Sequence, residues 1–511
     1  MLNALDTVII IAYFAALSWI GFHFSKRQHS REEYFLAGRQ MHWILVGGSL
    51  LATLVSSVTY LNTPGEMIRY GIGFFSSLLI VPLIAPVVNR FVVPVFARMP
   101  ITSAYEYLEK RYGPGTRTLA ALVFMVHTLV WMGLIIYSAA FAVAEMWGWN
   151  IYLTILIAGL ATTAYTSAGG FRTVIWTDNL QLWILFAGAL AIPAVVWIST
   201  GSGLVAWWNL FQQAGRAEVQ FFSWDPTVRV TAVASMLNYF FWSVCTQSSD
   251  QVAVQRYLST PSATFARRSV WMYAFFKITL TVCLLICGLA LFAFYAGKSG
   301  LPVEAFARQI VTRADKIMPQ FVAQEIPPGL SGLILAALMA AAMSSLSSGI
   351  NSIASVYGVD LQPRLPGLRS WKHSVRTDKW VSFAAGAVSC VAATGVAWLV
   401  TRTHWNLVEL TGRVNMIFVG AMGVLFFAGI LFRRTGARAV LTGFFTAIAI
   451  SLLIAFGKEM LRLERSFSFL WIIPASFLTG LGVSYLSGWV FAPPAAERVE
   501  RLTLRASLHV H

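Results

Sequence analysis

The chain is 511 residues long and 57% hydrophobic, and only 11% of it is charged, where a soluble protein carries about 25%. That composition excludes a soluble globular fold and points to an all-α membrane protein. The net charge of +16 does not indicate nucleic-acid binding, because Lys and Arg sit in short connections between apolar runs, as membrane topology places them.

An apolar run of about 20 residues crosses a bilayer as a helix, since lipid cannot satisfy open backbone groups. The first run, Thr7–Phe24, has neither a basic leader nor a small-residue cleavage signature and reads as a retained span. Spans then follow near Ile44–Leu61, Ile72–Phe96, Leu119–Trp147, Ile151–Tyr165, Val174–Ile198 and Val230–Val244. The rest are near Val270–Ala296, Leu330–Val359, Trp380–Val400, Val408–Phe432, Ala439–Phe456 and Phe469–Phe491, about thirteen in all. Alternate connections hold most of the basic residues: Lys26, Arg27, Arg31 and Arg39, then Arg98, Lys110, Arg111 and Arg117, then Arg172. The same set continues with Arg256, Arg267 and Arg268, then Arg364, Arg369, Lys372, Arg376 and Lys379, then Arg433, Arg434 and Arg438. The positive-inside rule puts that set in the cytoplasm, the N-terminus outside and the C-terminus inside, with the inner (plasma) membrane as the expected location.

Two spans are interrupted. In the second, Ser56, Ser57 and Thr59 break the apolar run, and Asn62-Thr63-Pro64-Gly65 is expected to end it. In the seventh, Cys245 to Gln251 replaces hydrocarbon-facing residues with polar ones. Five spans separate the two starts, as two repeats of five spans with broken first helices would give; such a pair points to a transporter binding site. A re-entrant or frayed helix end at each place is the plainer alternative.

The strongest local motif is Ala340 to Gly349 in the ninth span. Residues three and four apart share a helix face, so Ala341, Ser344, Ser345 and Ser348 adjoin one another, as do Ser344, Ser347 and Ser348. Hydroxyls and a main-chain carbonyl are the hard oxygen ligands a sodium ion takes; a small-residue face for close helix packing reads equally well. Asp178, near the start of the sixth span, is either a cation ligand or a helix-start acid stabilised by the helix dipole. Gly169-Gly170 is a tight turn without the Lys-Ser/Thr of a phosphate loop. The four cysteines form no metal-like cluster, the histidines are scattered without a hydrolase pattern, and His127 and Glu145 read as structural.

Taken together, these stretches resemble the sodium:solute symporter family over nearly the full length. They are Glu33 to Arg39, Ala52 to Thr59, Gly169-Gly170 with Trp176-Thr177-Asp178, Gln251 with Gln255 to Leu258, and Ala341 to Ser348. The resemblance implies a LeuT-like 5+5 inverted repeat with one leading and two trailing helices, and sodium symport by alternating access. The corresponding divisions are 1–41, 42–199, an extracellular loop at 200–229, 230–432, 433–492 and a cytoplasmic tail at 493–511. It also implies a first sodium site at Ala52, Val55, Ala341, Ser344 and Ser345, and a second at Asp178, Ser344, Ser347 and Ser348. Solute is expected beside the breaks, near Ser56, Thr59, Trp242, Asp250 and Gln251. The chain departs from sugar-carrying members, which have Asn-Gln at Asp250-Gln251, and from sialic-acid-type members, which place an arginine where Trp131 stands.

The reading is a sodium-coupled carrier of a small polar solute such as a sugar, polyol or amino compound, partnered by the lipid bilayer, with Na+ as coupling ion. No organic cofactor, enzyme activity, nucleic acid or obligate protein partner is expected. The alternatives are an organic-anion symporter of monocarboxylate or vitamin type, or a proton-coupled or uncoupled carrier titrating at Asp178 or Asp250. A membrane-embedded enzyme or a channel is the distant one. Asp250 could also pair with Arg256 as a gate latch.

Overall fold

A computed structural model describes residues 3–26, 28–365, 374–403, 407–462, 465–500 and 502–503. Arg27, Arg369 and Lys372 of the expected basic connections, the side chain of Glu145 and most of the last ten residues lie outside the described set.

The principal helices, in chain order, are α1 (Ala4–Ser25), α2 (Trp43–Leu54), α3 (Ser57–Tyr70), α4 (Pro114–Trp147), α5 (Ile151–Thr200), α6 (Ala232–Ser249) and α7 (Gln251–Leu258). They continue with α8 (Ala263–Ser299), α9 (Leu330–Val356), α10 (Val375–Thr403), α11 (Leu407–Leu431), α12 (Ala437–Leu461) and α13 (Ile472–Val490). Among the described residues nine helices are long and apolar enough to cross a bilayer, and ten if the bent pair α2 and α3 is one span. The thirteen expected spans also count α5 twice and add α6 with α7, and α11, which are shorter or less apolar. At about 1.5 Å per residue the 50-residue α5 is more than twice the ~30 Å hydrocarbon core. It turns at Gly170, whose φ of 63° and ψ of −163° suit glycine alone.

Both expected interruptions are real breaks, and both are sharper than the sequence pattern. Between α2 and α3 the chain bends by 67° at Val55-Ser56. The Ser56 hydroxyl then caps the new helix by accepting from the Thr59 amide. The Asn62–Gly65 stretch does not end the span, contrary to expectation. Pro64 is carried inside α3, the Thr63 hydroxyl bonds the Thr59 carbonyl, and the helix stops only at Gly71, with φ 83°. Between α6 and α7 the break is Asp250 alone, extended at ψ 122°, with its carboxylate capping α7 at the Val252 amide (2.8 Å).

The axis of the bundle is α9, buried over almost its whole length and rich in Ala, Ser and Gly. Small side chains let other helices approach closely: a Cβ on Gly332 would stand 2.7 Å from Asp6 Cα of α1. At this end Asp6 Oδ1 accepts from the amides of Gly329 (2.7 Å) and Gly332 (2.8 Å) and from the Ser331 hydroxyl (2.7 Å). One carboxylate thereby serves the open amides of the α9 start and complements its dipole. At the other end of α9, Arg117 pairs with both Asp360 and Glu109, and Arg364 pairs with Glu109 (2.6 Å). Burial alone would raise the Glu109 carboxyl, but the two guanidinium groups outweigh it and hold it below the usual range. Arg31 and Asp378 add a further pair at 2.8 Å.

The turn in α5 is directly testable. A Cβ at Gly170 would lie 2.7 Å from Tyr34 Cδ2 and 2.8 Å from the Tyr34 carbonyl. Gly170→Ala therefore combines backbone strain of about 1–3 kcal/mol with overpacking of similar size. It is expected to lower the apparent Tm in detergent by several degrees. Gly297→Ala, whose Cβ meets nothing within 4 Å, should leave Tm unchanged.

Candidate functional site

Where α2 stops, the carbonyls of its last turn have no helical amide to accept from. The serine face of α9 supplies the missing donors. Ser344 Oγ donates to the Ala52 carbonyl (2.8 Å) and Ser345 Oγ to the Thr53 carbonyl (2.7 Å). Both hydroxyls also lie 3.4 Å from the Ala341 carbonyl of their own helix. Ala52, Ala341, Ser344 and Ser345 are thus brought together, and Val55 forms the break beside them. This face is more than close packing of small residues, because its hydroxyls are spent on carbonyls across the helix interface.

One turn further along α9 lies a second cluster. Asp178 of α5 is fully buried. Its Oδ2 accepts from Ser49 Oγ (2.6 Å), Thr53 Oγ1 (3.1 Å) and Arg256 Nη2 (2.8 Å). The same Arg256 Nη2 donates to Ser348 Oγ (2.6 Å) and to Thr53 Oγ1, while Nε reaches Ser49 Oγ (2.9 Å). Ser347 Oγ donates to the Ser344 carbonyl (3.0 Å). Asp178 Oδ1, also buried, has no hydrogen-bond partner among the described residues.

Arg256 is the main departure from the sequence reading. It was expected in a cytoplasmic connection, with Asp250 as one possible partner, and instead has no solvent exposure and pairs with Asp178. From α7 it joins α2, α5 and α9 in one network. Ser49 and Arg256 belong to this site although sequence reasoning did not place them there. The available signal was an arginine six residues beyond Asp250, just past the polar break.

A cavity of about 250 Å³ opens beside the first cluster. It is lined by Val55, Ser56 and Thr59 at the α2–α3 break, with Trp131 of α4 and Trp242 of α6. Three of the expected solute residues, Ser56, Thr59 and Trp242, therefore share it. The other two do not. Gln251 is fully buried and holds the backbone of Thr102 and Ala104. Asp250 lines a separate cavity of about 20 Å³. Three charged groups that the sequence reading passed over, Glu66, Arg229 and Lys277, do reach the large cavity. Glu66 is paired there with Arg229 (3.2 Å). Lys277 of α8 has no ion-pair or hydrogen-bond partner among the described residues; its ammonium lies 5.1 Å from the centre of the Tyr239 ring. A lysine inside the apolar run Val270–Ala296 was itself a signal, since such charges are costly in a span and are kept for function.

A model of the sodium:solute symporter family matches residues 34–447. A sodium/sialic acid symporter of Proteus mirabilis (strain HI4320) is 30% identical over 464 residues, covering 89% of this chain and 90% of that one. The Homo sapiens sodium-coupled monocarboxylate transporter 1 is 30% identical over 436 residues, covering 85% of this chain and 70% of that one. Among solved structures, the substrate-bound outward-open state of a Na+-coupled sialic acid symporter superposes with a TM-score of 0.84 at 27% identity, over 96% of this chain and 99% of that one.

Removing one partner from a buried ion pair leaves an uncompensated charge and costs about 3–5 kcal/mol. Arg256→Met is therefore expected to lower thermal stability sharply in detergent, and adding Asp178→Asn should restore most of the loss. A double variant as unstable as the single one would mean that the pair does not hold this junction.

Proposed function

The chain belongs to the sodium:solute symporter family, and from that premise we propose that the solute it carries with sodium is a small organic carboxylate, held by Lys277. The protein is a multi-pass, LeuT-like, sodium-coupled symporter of a small solute. The observation that carries the solute class is the Lys277 ammonium, which faces the large cavity with no acid beside it among the described residues. A cation inside a span without a counter-charge is costly, and a carboxylate arriving with the solute supplies one. Glu66 does not, being engaged by Arg229. Trp131 lines the wall where sialic-acid-type members place an arginine, so the acid group is met from α8 instead. Asn62, Asn238 and Ser235 add hydrogen-bonding groups, and Trp131 and Trp242 add apolar walls for the rest of the solute. The two relatives are named for acids as well, sialic acid and monocarboxylates.

The first sodium site is assigned to the carbonyls of Ala52, Val55 and Ala341 with the hydroxyls of Ser344 and Ser345. The convergence of Ser344 and Ser345 on backbone oxygens at the α2 break supports it. The second is assigned to Asp178, Ser344, Ser347 and Ser348, supported by the unpartnered Asp178 Oδ1. Arg256 already neutralises that carboxylate, which makes the second site the weaker of the two. The repeats run over 42–199 and 230–432, each opening with its broken helix. The N-terminus lies outside and the basic connections in the cytoplasm of a plasma membrane. No residue of the Arg117–Asp360–Glu109 cluster lines the large cavity, as in a carrier open outward and latched inward.

Hydrogen bonds to charged groups contribute about 1.5–3 kcal/mol. In proteoliposomes, Lys277→Met is thus expected to raise the half-saturating carboxylate concentration roughly 10- to 100-fold while sodium dependence persists, and Lys277→Arg should recover part of the loss. Neutral polyols that compete with uptake as well as carboxylates do would overturn the assignment.

Ser345→Ala removes a sodium ligand without touching the large cavity. It should raise the sodium concentration for half-maximal uptake about tenfold or more and leave solute selectivity alone. An unchanged sodium dependence would remove Ser345 from the site.

A further inference from the structure

The cavity of about 20 Å³ lies apart from the solute cavity and from both serine-lined clusters. It is lined by His127 and Phe124 of α4, by Thr246 and Asp250 at the α6 end, and by Phe418 and Met422 of α11. That space suffices for a single water-sized occupant and is far too small for a solute.

Its polar groups are incompletely used. The Asp250 side chain makes one hydrogen bond among the described residues, from the Val252 amide to Oδ1, and has no ion pair. Thr246 is 5% exposed, and its hydroxyl has no hydrogen-bond partner among the described residues. Thr246 and Asp250 are four residues apart, so they fall on one side of the α6 end. The titratable and charged groups around Asp250 are His127 from α4, Tyr105 from the short helix before α4 and Arg256 from α7. Arg256 is committed to Asp178. Tyr105 donates its hydroxyl to the Ser249 carbonyl (3.1 Å), and His127 Nε2 is bonded to Asn415 Oδ1 (2.8 Å). From α11, among the described residues, Phe418, Val419 and Met422 face the space. A carboxylate inside a span requires a positive partner, and no described side chain supplies one directly.

We propose that this cavity is an additional cation site, where Asp250 and Thr246 hold one small monovalent cation, a sodium or a hydronium ion. Both ions suit acceptor oxygens and a volume of this size. Asn415 also lines the solute cavity, so the His127–Asn415 hydrogen bond is a partition between the two spaces. The cation bound at the α6–α7 break therefore sits one side-chain pair away from the solute. This assignment does not depend on the identity of the solute.

The test uses the purified full-length protein, with the Asp250→Asn and Thr246→Val variants. Asn keeps the helix cap at Val252, and Val keeps the threonine shape, so neither change removes a fold contact described above. Radioactive sodium binding counts the ions held per protein, and solute uptake at saturating sodium is followed from acid to alkaline pH. If the occupant is sodium, each variant binds one sodium fewer per protein. If it is hydronium, the sodium count is unchanged and the pH dependence of uptake flattens or shifts in both variants. Wild-type sodium count together with a wild-type pH profile in both variants would overturn the site.

Discussion

A helix that stops in the middle of a bilayer strands backbone carbonyls and amides where no water can reach them. This chain stops two helices, and much of the interior is arranged around the consequences. The α2 end gives up carbonyls to Ser344 and Ser345, and the α3 start takes the Ser56 hydroxyl. The α7 start takes Asp250, and Arg256 returns from α7 to knit α2, α5 and α9 together. Groups that solve the backbone problem are therefore also the groups available to an ion. A carbonyl that accepts from a serine hydroxyl can accept a cation in its place with little movement. Structural necessity and ion chemistry converge at the same oxygens because both need acceptors without fixed charge in a dry setting.

How much of this could be read from sequence varies from residue to residue. The spans were legible because apolar runs of membrane length are hard to mistake, and the α2–α3 break was legible because Ser56 and Ser57 interrupt one. The second break was harder to place. Seven polar residues, Cys245 to Gln251, suggested a wide gap, but Ser248 and Ser249 donate to the Cys245 carbonyl (2.8 Å each) and keep the helix intact up to Asp250. Asn62–Gly65 misled because a proline is tolerated inside a span, and Pro64 is carried within α3. The serine face of α9 was visible from spacing alone. The partner of Asp178 was not, because 78 residues separate it from Arg256 and no local pattern links them. Lys277 was visible as an anomaly, but only the assembled cavity reveals that it lacks an acid partner among the described residues.

The two intramembrane aspartates show how environment divides one residue type into two roles. Asp178 is enclosed by a guanidinium and hydroxyls, which neutralise it and make it a fixed part of the junction between helices. Asp250 stands at a hinge, caps one amide and borders open space. The cationic side chains divide likewise, with Arg256 locked into a network and Lys277 left facing a cavity under an aromatic ring. In each pair the group with fewer partners is the one free to respond to what enters.

The Asp6 carboxylate joins α1 to the start of α9 across 323 residues of sequence. A ribosome adding about 5–20 residues per second needs roughly 15–65 s to supply that partner. Through that interval the first helix waits in the translocation machinery or the lipid with an acid near its N-terminal end that only the Asn3 amide of its own first turn bonds. Insertion of α1 and docking of α1 are consequently separate events in biogenesis, and the second cannot precede synthesis of the bundle's central helix. Arrival of α9 then serves as a late checkpoint: until it comes, a protease or chaperone that senses polar groups in the membrane has a target, and once the Gly329 and Gly332 amides close on Asp6 the target is gone.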